Sequence, residues 1–331
     1  MEKITFECEV ITPMFLGGVD GKSAELRAPS IKGALRFWWR AMNGDLPLSE
    51  LHQKEAEIFG GGGDGGRRSQ VVVRVEQGNL NKVSLVYQGK IASQPSFYTR
   101  PINAPILKYL SIGTFEFPGN NPRESIKENQ NFRIIIQVMK KFETEIIKSL
   151  LYLSTFGGIG SKARNGFGSF KVKSINSRPV DYIQIKKNDF KNIIPKYCSF
   201  SQNIRLFKTS QSFSKWDKAL EDIGDCYRLA RLESDGTKYK FSNRVLLTEP
   251  LNQANDQRII DRRTKPFFMN VRKEQNNYTG YLLYLPSDYI EDTKMLKKQL
   301  SKEQINKQYL EACNIFLKKL KTISKITEVV I

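Results

Sequence analysis

Three cations stand at helical spacing in the run SIKGALRFWWRAM: Lys32, Arg36 and Arg40, at i, i+4 and i+8. At about 100° per residue they share one helix face, while Ile31, Leu35, Trp38 and Met42 share the opposite one, with Ala34 beside them. Such a segment packs its back on a sheet and shows positive charges in a row. Like charges at this spacing repel unless an anion sits beside them, and no acid lies between Arg27 and Asp45. The chemistry this supports is phosphate binding, helped by the free N–H groups of a helix N-terminus. Arg27 extends the patch. Trp39 flanks the row and either stacks on a nucleobase or anchors the core, whereas Trp38 reads as core. For the cations the alternative is a solvated helix face.

Three glycine-rich loops carry or adjoin further cations. Gly17, Gly18 and Gly21 lead to Lys22; GGGGDGG at 60–66 runs into Arg67 and Arg68; GGIGSKARNGFGSF at 157–170 contains Lys162 and Arg164. Glycine lets a backbone approach a ligand closely and align successive N–H groups on an anion. GKS at 21–23 lacks the upstream glycine of a Walker loop, and GFGSF is no dinucleotide fingerprint. GGGGDGG also reads as a flexible linker. The 157–170 loop is better placed, between an apolar helix and a strand. Arg262, Arg263 and Lys265 form a further patch, or a solvated loop.

The overall charge agrees with these local signals. Lys and Arg total 53 against 34 Asp and Glu, a net +19 over 331 residues, and both halves are basic. With 40% hydrophobic residues the chain is globular, so a dense positive field points to a polyanion partner. His52 is the only histidine, which excludes two-histidine acid–base chemistry and a His-rich metal site. It lies in LPLSELHQKEAEIF, a stretch of helical character, and reads as a surface residue. Cys8, Cys198, Cys226 and Cys313 form no CxxC pair, so no zinc knuckle or redox motif is implied. With no signal peptide, they are expected to be reduced thiols of a cytoplasmic protein. No apolar run is long enough to span a membrane. No catalytic residue, metal site or cofactor motif emerges, so the expectation is a binding protein and not an enzyme.

The elements that must position these residues follow from periodicity. Residues 3–12 alternate as a half-buried strand. A helix follows with Ser30 as N-cap, ending after Met42 at Asn43-Gly44. Strands are expected at 70–76 and 82–88, then a Pro-, Gly- and Asn-rich insertion at 92–127. A strand at 132–139, a helix at 142–155 and a strand at 169–173 complete a strand–helix–strand–strand–helix–strand order. The second half repeats it: strand 201–208, helix 215–231, paired strands 267–272 and 278–285 joined through KEQNN, helix 301–319 and strand 326–331. Ser301 and Gln304 stand at capping-box spacing. The expected class is α+β, with two tandem ferredoxin-like (RRM-like, βαββαβ) domains at 1–176 and 177–331.

ITPMFLGG at 11–18, ELRAPSIKGALRFWWRA at 25–41, IFGG at 58–61 and the 157–170 loop resemble, in order, the RAMP superfamily of CRISPR systems. RFWWRA and RRTKPFFMNV at 262–271 look like the first RAMP subunit of type III-B Cmr effector complexes. The resemblance implies paired ferredoxin-like domains in a subunit of an RNA-guided antiviral complex. That subunit binds single-stranded RNA, guide or target or both, near the 3′ end of the guide, and sits among other RAMP subunits. Cleavage in that family belongs to a loop aspartate of the backbone subunits. Asp20 and Asp64 lie on loops here, but no motif carries that role onto them. The insertion matches nothing in the family. Two other functions remain open: a RAMP-type, metal-independent endoribonuclease using His52, and a scaffold whose charge serves a protein partner.

Overall fold

The structure is a computed structural model that describes residues 1–18, 20, 23–62, 66–85, 105–116, 121–231, 246–247, 265–289 and 301–331. The first half contains β1 (Glu2–Val10), α1 (Ala28–Met42), α2 (Leu48–Phe59), β2 (Val71–Glu76), β3 (Lys82–Ser84), α3 (Ile106–Leu110), the short strands β4 (Phe115–Glu116), β5 (Asn121–Pro122) and β6 (Glu124–Ile126), then β7 (Asn131–Val138), α4 (Glu143–Phe156), β8 (Phe170–Ile175) and β9 (Arg178–Pro179). The second contains β10 (Arg205–Thr209), α5 (Trp216–Leu229), β11 (Phe267–Glu274), β12 (Asn277–Tyr284), α6 (Lys302–Thr322) and β13 (Ile326–Val329).

Two large antiparallel sheets result, ordered β2-β7-β1-β8-β9 and β11-β12-β10-β13, beside the two-stranded pairs β3-β6 and β4-β5. In the first, β1 lies between β7 and β8; in the second, β10 lies between β12 and β13. In β1, Ile4, Phe6, Cys8 and Val10 face the core, as alternation requires. Its outward residues are Lys3, Thr5, Glu7 and Glu9. Arg133 on β7 pairs with Glu7 at 3.7 Å and with Glu76 at 3.6 Å. This part of the outer face offers ion pairs and no ring on which a base could stack.

The two halves share their cores. Phe268, Tyr281 and Leu283 from the second sheet pack among Trp38, Phe156 and Phe200 of the first core. Ile11, Phe15 and Phe167 of the first half enter the second core. β11 is therefore buried on both faces, which explains its apolar run FFMNV. Arg272 on this strand is buried; its Nε donates to Thr155 O at 3.0 Å and its guanidinium lies 3.8 Å from the Tyr281 ring centroid. The chain after β9 still belongs to the first core, through Ile185, Cys198 and Phe200.

Three local expectations change. α1 starts at Ala28 with Arg27 at the N-cap, so Ser30 lies inside the first turn and caps nothing. Pro29 accounts for this, because its fixed φ suits a first turn. The insertion is not empty: Ile106, Leu107 and Leu110 of α3 fill the second core against α5, and β6 pairs with β3. The strand expected at 82–88 is present as β3 over Lys82–Ser84, and 86–88 lie outside the described residues. The capping box is present: Gln304 N donates to Ser301 Oγ at 3.2 Å and Ser301 N to Gln304 Oε1 at 3.1 Å. Among the described residues no helix is long and apolar enough to cross a membrane.

The loop at 157–168 is the tightest joint. A Cβ on Gly157 would lie 2.5 Å from Trp38 Nε1, and one on Gly168, at φ +71°, would overlap Ile159 O. Gly168→Ala should therefore lose about 2–4 kcal/mol, combining left-handed strain with overpacking. Gly33→Ala, whose Cβ meets nothing within 4 Å on α1, should gain about 0.5–1 kcal/mol. Chemical denaturation of the two variants beside the parent chain checks both signs.

Candidate nucleic-acid interface

Lys32, Arg36 and Arg40 do share a face of α1, but α2 and the start of β2 cover it. Lys32 Nζ donates to Ser69 Oγ at 2.6 Å and to Val71 O at 3.1 Å. Arg36 Nε and Arg40 Nη1 converge on a single oxygen, Glu55 Oε1, at 2.7 and 2.5 Å. The Glu55 side chain is 5% exposed, while those of Arg36 and Arg40 keep 39% and 34%. The anion that the row demands is thus supplied by α2. Burial, then the nearby Arg36 charge, lowers the pKa of Lys32. Trp39 is 1% exposed and donates its Nε1–H to Glu145 Oε2 at 2.8 Å. Its expected stacking role is corrected: it is a core anchor with no face for a base. Nor does the helix N-terminus offer a row of free donors. Pro29 has none, and Ser30 N and Ile31 N both donate to Arg27 O, at 3.1 and 3.3 Å. Arg27 itself stays partly exposed at the N-cap.

The glycine loops behave differently from one another. Gly17 bridges Ala24, and Asp20 Oδ1 accepts from Ser23 N and Oγ at 2.9 and 2.8 Å. Lys22 lies outside the described residues. Gly60 turns with φ +85°, Gly61 N donates to Arg67 O at 3.2 Å, and Arg67 and Arg68 are exposed. Neither arginine forms an ion pair among the described residues. The glycines of 157–168 bring backbone against protein rather than ligand: Trp38 lies on Gly157, Phe15 O on Gly160, and Leu220 on Gly166. Between those contacts the segment 161–165 turns outward. Ser161 N donates to Phe15 O at 2.8 Å, Met269 N to Arg164 O at 3.0 Å, and the Asn165 amide to Leu110 O at 2.7 Å.

This bracing sets two of the expected cations at the junction of the halves. Lys162 sits at φ +64°, and burial lowers its pKa. The Arg164 guanidinium lies 4.4 Å from the Phe268 ring centroid and donates to Lys265 O at 2.5 Å. Lys265 is half-buried and its pKa is pushed down to about 8, by burial first and then by Arg231, Lys162 and Arg164. Arg262 and Arg263 lie outside the described residues. Among the described residues no three His, Cys, Asp or Glu gather as metal ligands would. The four cysteines are buried and unbridged.

A family model for the RAMP superfamily matches residues 7–171, from β1 through the 157–168 loop into β8. The chain belongs to the RAMP superfamily. Among its relatives is the CRISPR system Cmr subunit Cmr1-2 of Pyrococcus furiosus, 28% identical over 189 residues, which are 53% of this chain and 97% of that one. Cmr1-1 of the same organism is 25% identical over 223 residues, 62% of this chain and 60% of that one. The crystal structure of apo Cmr1 from Pyrococcus furiosus shares the mixed α+β fold, with a TM-score of 0.56 at 16% identity, over 99% of this chain and 98% of that one.

Within this RAMP chain, Glu55 and Arg231 are residues of the candidate site that sequence reasoning missed. Glu55 had a readable signal: it shares the buried face of α2 with Leu51, Ile58 and Phe59, at −4, +3 and +4. An acid on an apolar face needs a cationic partner. Arg231, at the end of α5, reaches the cluster only through tertiary packing. Glu55→Ala should cost about 1–3 kcal/mol, because Arg36 and Arg40 keep enough exposure to hydrate. Trp39→Ala should cost about 3–5 kcal/mol. Urea titration of both variants measures this; equal stability to the parent chain would mean the row faces solvent.

Proposed function

We propose that the chain is a non-catalytic RNA-binding subunit of a type III-B Cmr complex. It lies against guide RNA, target RNA or both, near the 3′ end of the guide, with other RAMP subunits beside it. The observation that carries this reading is a division among its cations. Those of α1 are tied to Glu55, Ser69 and Val71, while Arg67, Arg68 and Lys162 form no ion pair among the described residues. A net charge of +19 leaves a large positive excess for a polyanion. Phosphate contacts of this kind position a strand without reading its sequence. The names of the relatives in the CRISPR Cmr system support the assembly. The repeated strand order of the two sheets supports reading each half as a ferredoxin-like unit. The complex is read as cytoplasmic, where buried cysteines stay reduced.

His52 is exposed on α2, and the chain has no second histidine to act with it as acid and base. That favours binding over guide-precursor cleavage. The test is a titration of labelled single-stranded RNA at about 50 and 200 mM salt. Affinity should fall steeply with salt, and Arg67→Ala/Arg68→Ala/Lys162→Ala should flatten the log–log slope by about 2, at roughly 0.7 per phosphate lost. A salt-independent affinity would contradict phosphate-led binding. Cleavage of a repeat RNA in EDTA, abolished by His52→Ala, would replace this reading with a ribonuclease.

A further inference from the structure

Lys265 stands just ahead of β11, half-buried, where that strand meets the 157–168 loop. The loop supplies Lys162 and Arg164 to its surroundings, and the end of α5 supplies Arg231. Both guanidinium groups are held by the fold. Arg164 donates to Lys265 O at 2.5 Å and lies over Phe268 and Phe37, at 4.4 and 5.1 Å. Arg231 Nη1 donates to the Tyr109 hydroxyl at 2.6 Å. The two ammonium groups are different: neither Lys162 Nζ nor Lys265 Nζ has a hydrogen-bond or ion-pair partner among the described residues. Gly113, at φ +88°, leaves room for the Lys162 ammonium, which would lie 3.4 Å from a Cβ there. Among the described residues, every charge acting on Lys265 is positive.

We propose that these four cations form a seat for one phosphate group, held jointly by the two halves of the protein. The seat deepens the RNA reading and rests on it for the source of the phosphate, a strand backbone. Free orthophosphate offers the same chemistry. The lysines are mobile point charges that close on the phosphate oxygens, and the two guanidinium groups, held in place by the fold, add fixed positive charge beside them. Such a seat would tie the loop of the first sheet to the strand of the second through the ligand as well as through backbone bonds.

A proton linkage follows. Lys265, with its pKa pushed down to about 8, is partly neutral in mildly alkaline solution. A phosphate beside it favours the charged form, so affinity is full below that pH and falls as pH rises through it. Among the described residues, the other groups facing it are Lys162, whose pKa burial also lowers, Arg164, Arg231, Tyr109 on Arg231, and Cys198, whose Sγ lies 3.8 Å from Lys265 O.

The test measures affinity of the full chain for single-stranded RNA at pH 7 and pH 9, at constant ionic strength, where the phosphodiester does not titrate. The parent chain should bind about tenfold more weakly at pH 9. Lys265→Met should bind about tenfold more weakly at pH 7 and lose most of the pH dependence. Lys265→Arg should keep the affinity and lose the same dependence, because a guanidinium does not titrate there. In parallel, orthophosphate should raise the Tm of the parent chain over chloride at equal ionic strength, and should not raise that of Lys265→Met. Stabilisation by orthophosphate through Lys265 without RNA binding would uphold the seat and remove the RNA reading. RNA binding by Lys265→Met equal to the parent chain at both pH values would overturn the seat and leave the RNA reading standing. Should Lys265→Met not fold, an unchanged pH dependence in Lys265→Arg overturns it instead.

Discussion

The backbone of residues 157–168 lies pressed between α1 and β11, and the rest of the molecule depends on that fit. Trp38 covers Gly157 on one side, and the Asn270 side chain donates to Gly157 O at 2.6 Å from the other. Ile159 N closes the loop on Gly168 O at 2.9 Å. A methyl group at the tightest of these positions would push apart elements that carry both cores. The same fit points 161–165 outward, braced by Phe15, Leu110 and Met269. The cations of the loop are therefore placed by a rigid joint and not by a flexible arm.

Charge on this protein sorts by counter-ion. Where an acid is buried next to a cation, as Glu55 is beside Arg36 and Arg40, the charge holds α2 on α1. Where rings take the place of the acid, as around Arg272 between Tyr281, Phe156 and Tyr182, the charge sits inside the joint between the halves. At Lys162, Lys265, Arg67 and Arg68, which form no ion pair among the described residues, positive charge remains for a partner. Net charge announces a polyanion, but the location of the contact is decided by which cations the fold leaves unmatched.

Much of the architecture was legible in the chain. The alternation of β1, the stop at Asn43 and the Ser301–Gln304 capping box are local signals with local physics, and all three appear in the structure. The site was less legible because its physics is not local. Lys32, Arg36 and Arg40 looked open only because Glu55 lies on another helix, 15 residues beyond Arg40 in the chain. Trp39 could be base platform or core until its neighbours Phe59 and Glu145 were in place. The glycines of 157–168 had two readings, ligand approach and protein approach, that no spacing separates. α3 was hidden in a Pro- and Gly-rich segment because five residues are too few to show a helical period.

The central claim is that RNA is held at the junction of the halves and not along the covered face of α1. Lysine acylation read by mass spectrometry, with and without single-stranded RNA, tests it most directly, since a partly neutral amine such as Lys265 reacts readily. RNA should protect Lys162 and Lys265 together, while Lys54, exposed on α2 over the covered face, reacts at an unchanged rate. Protection of Lys54 with Lys162 and Lys265 still reactive would place the RNA on α2 and contradict the account.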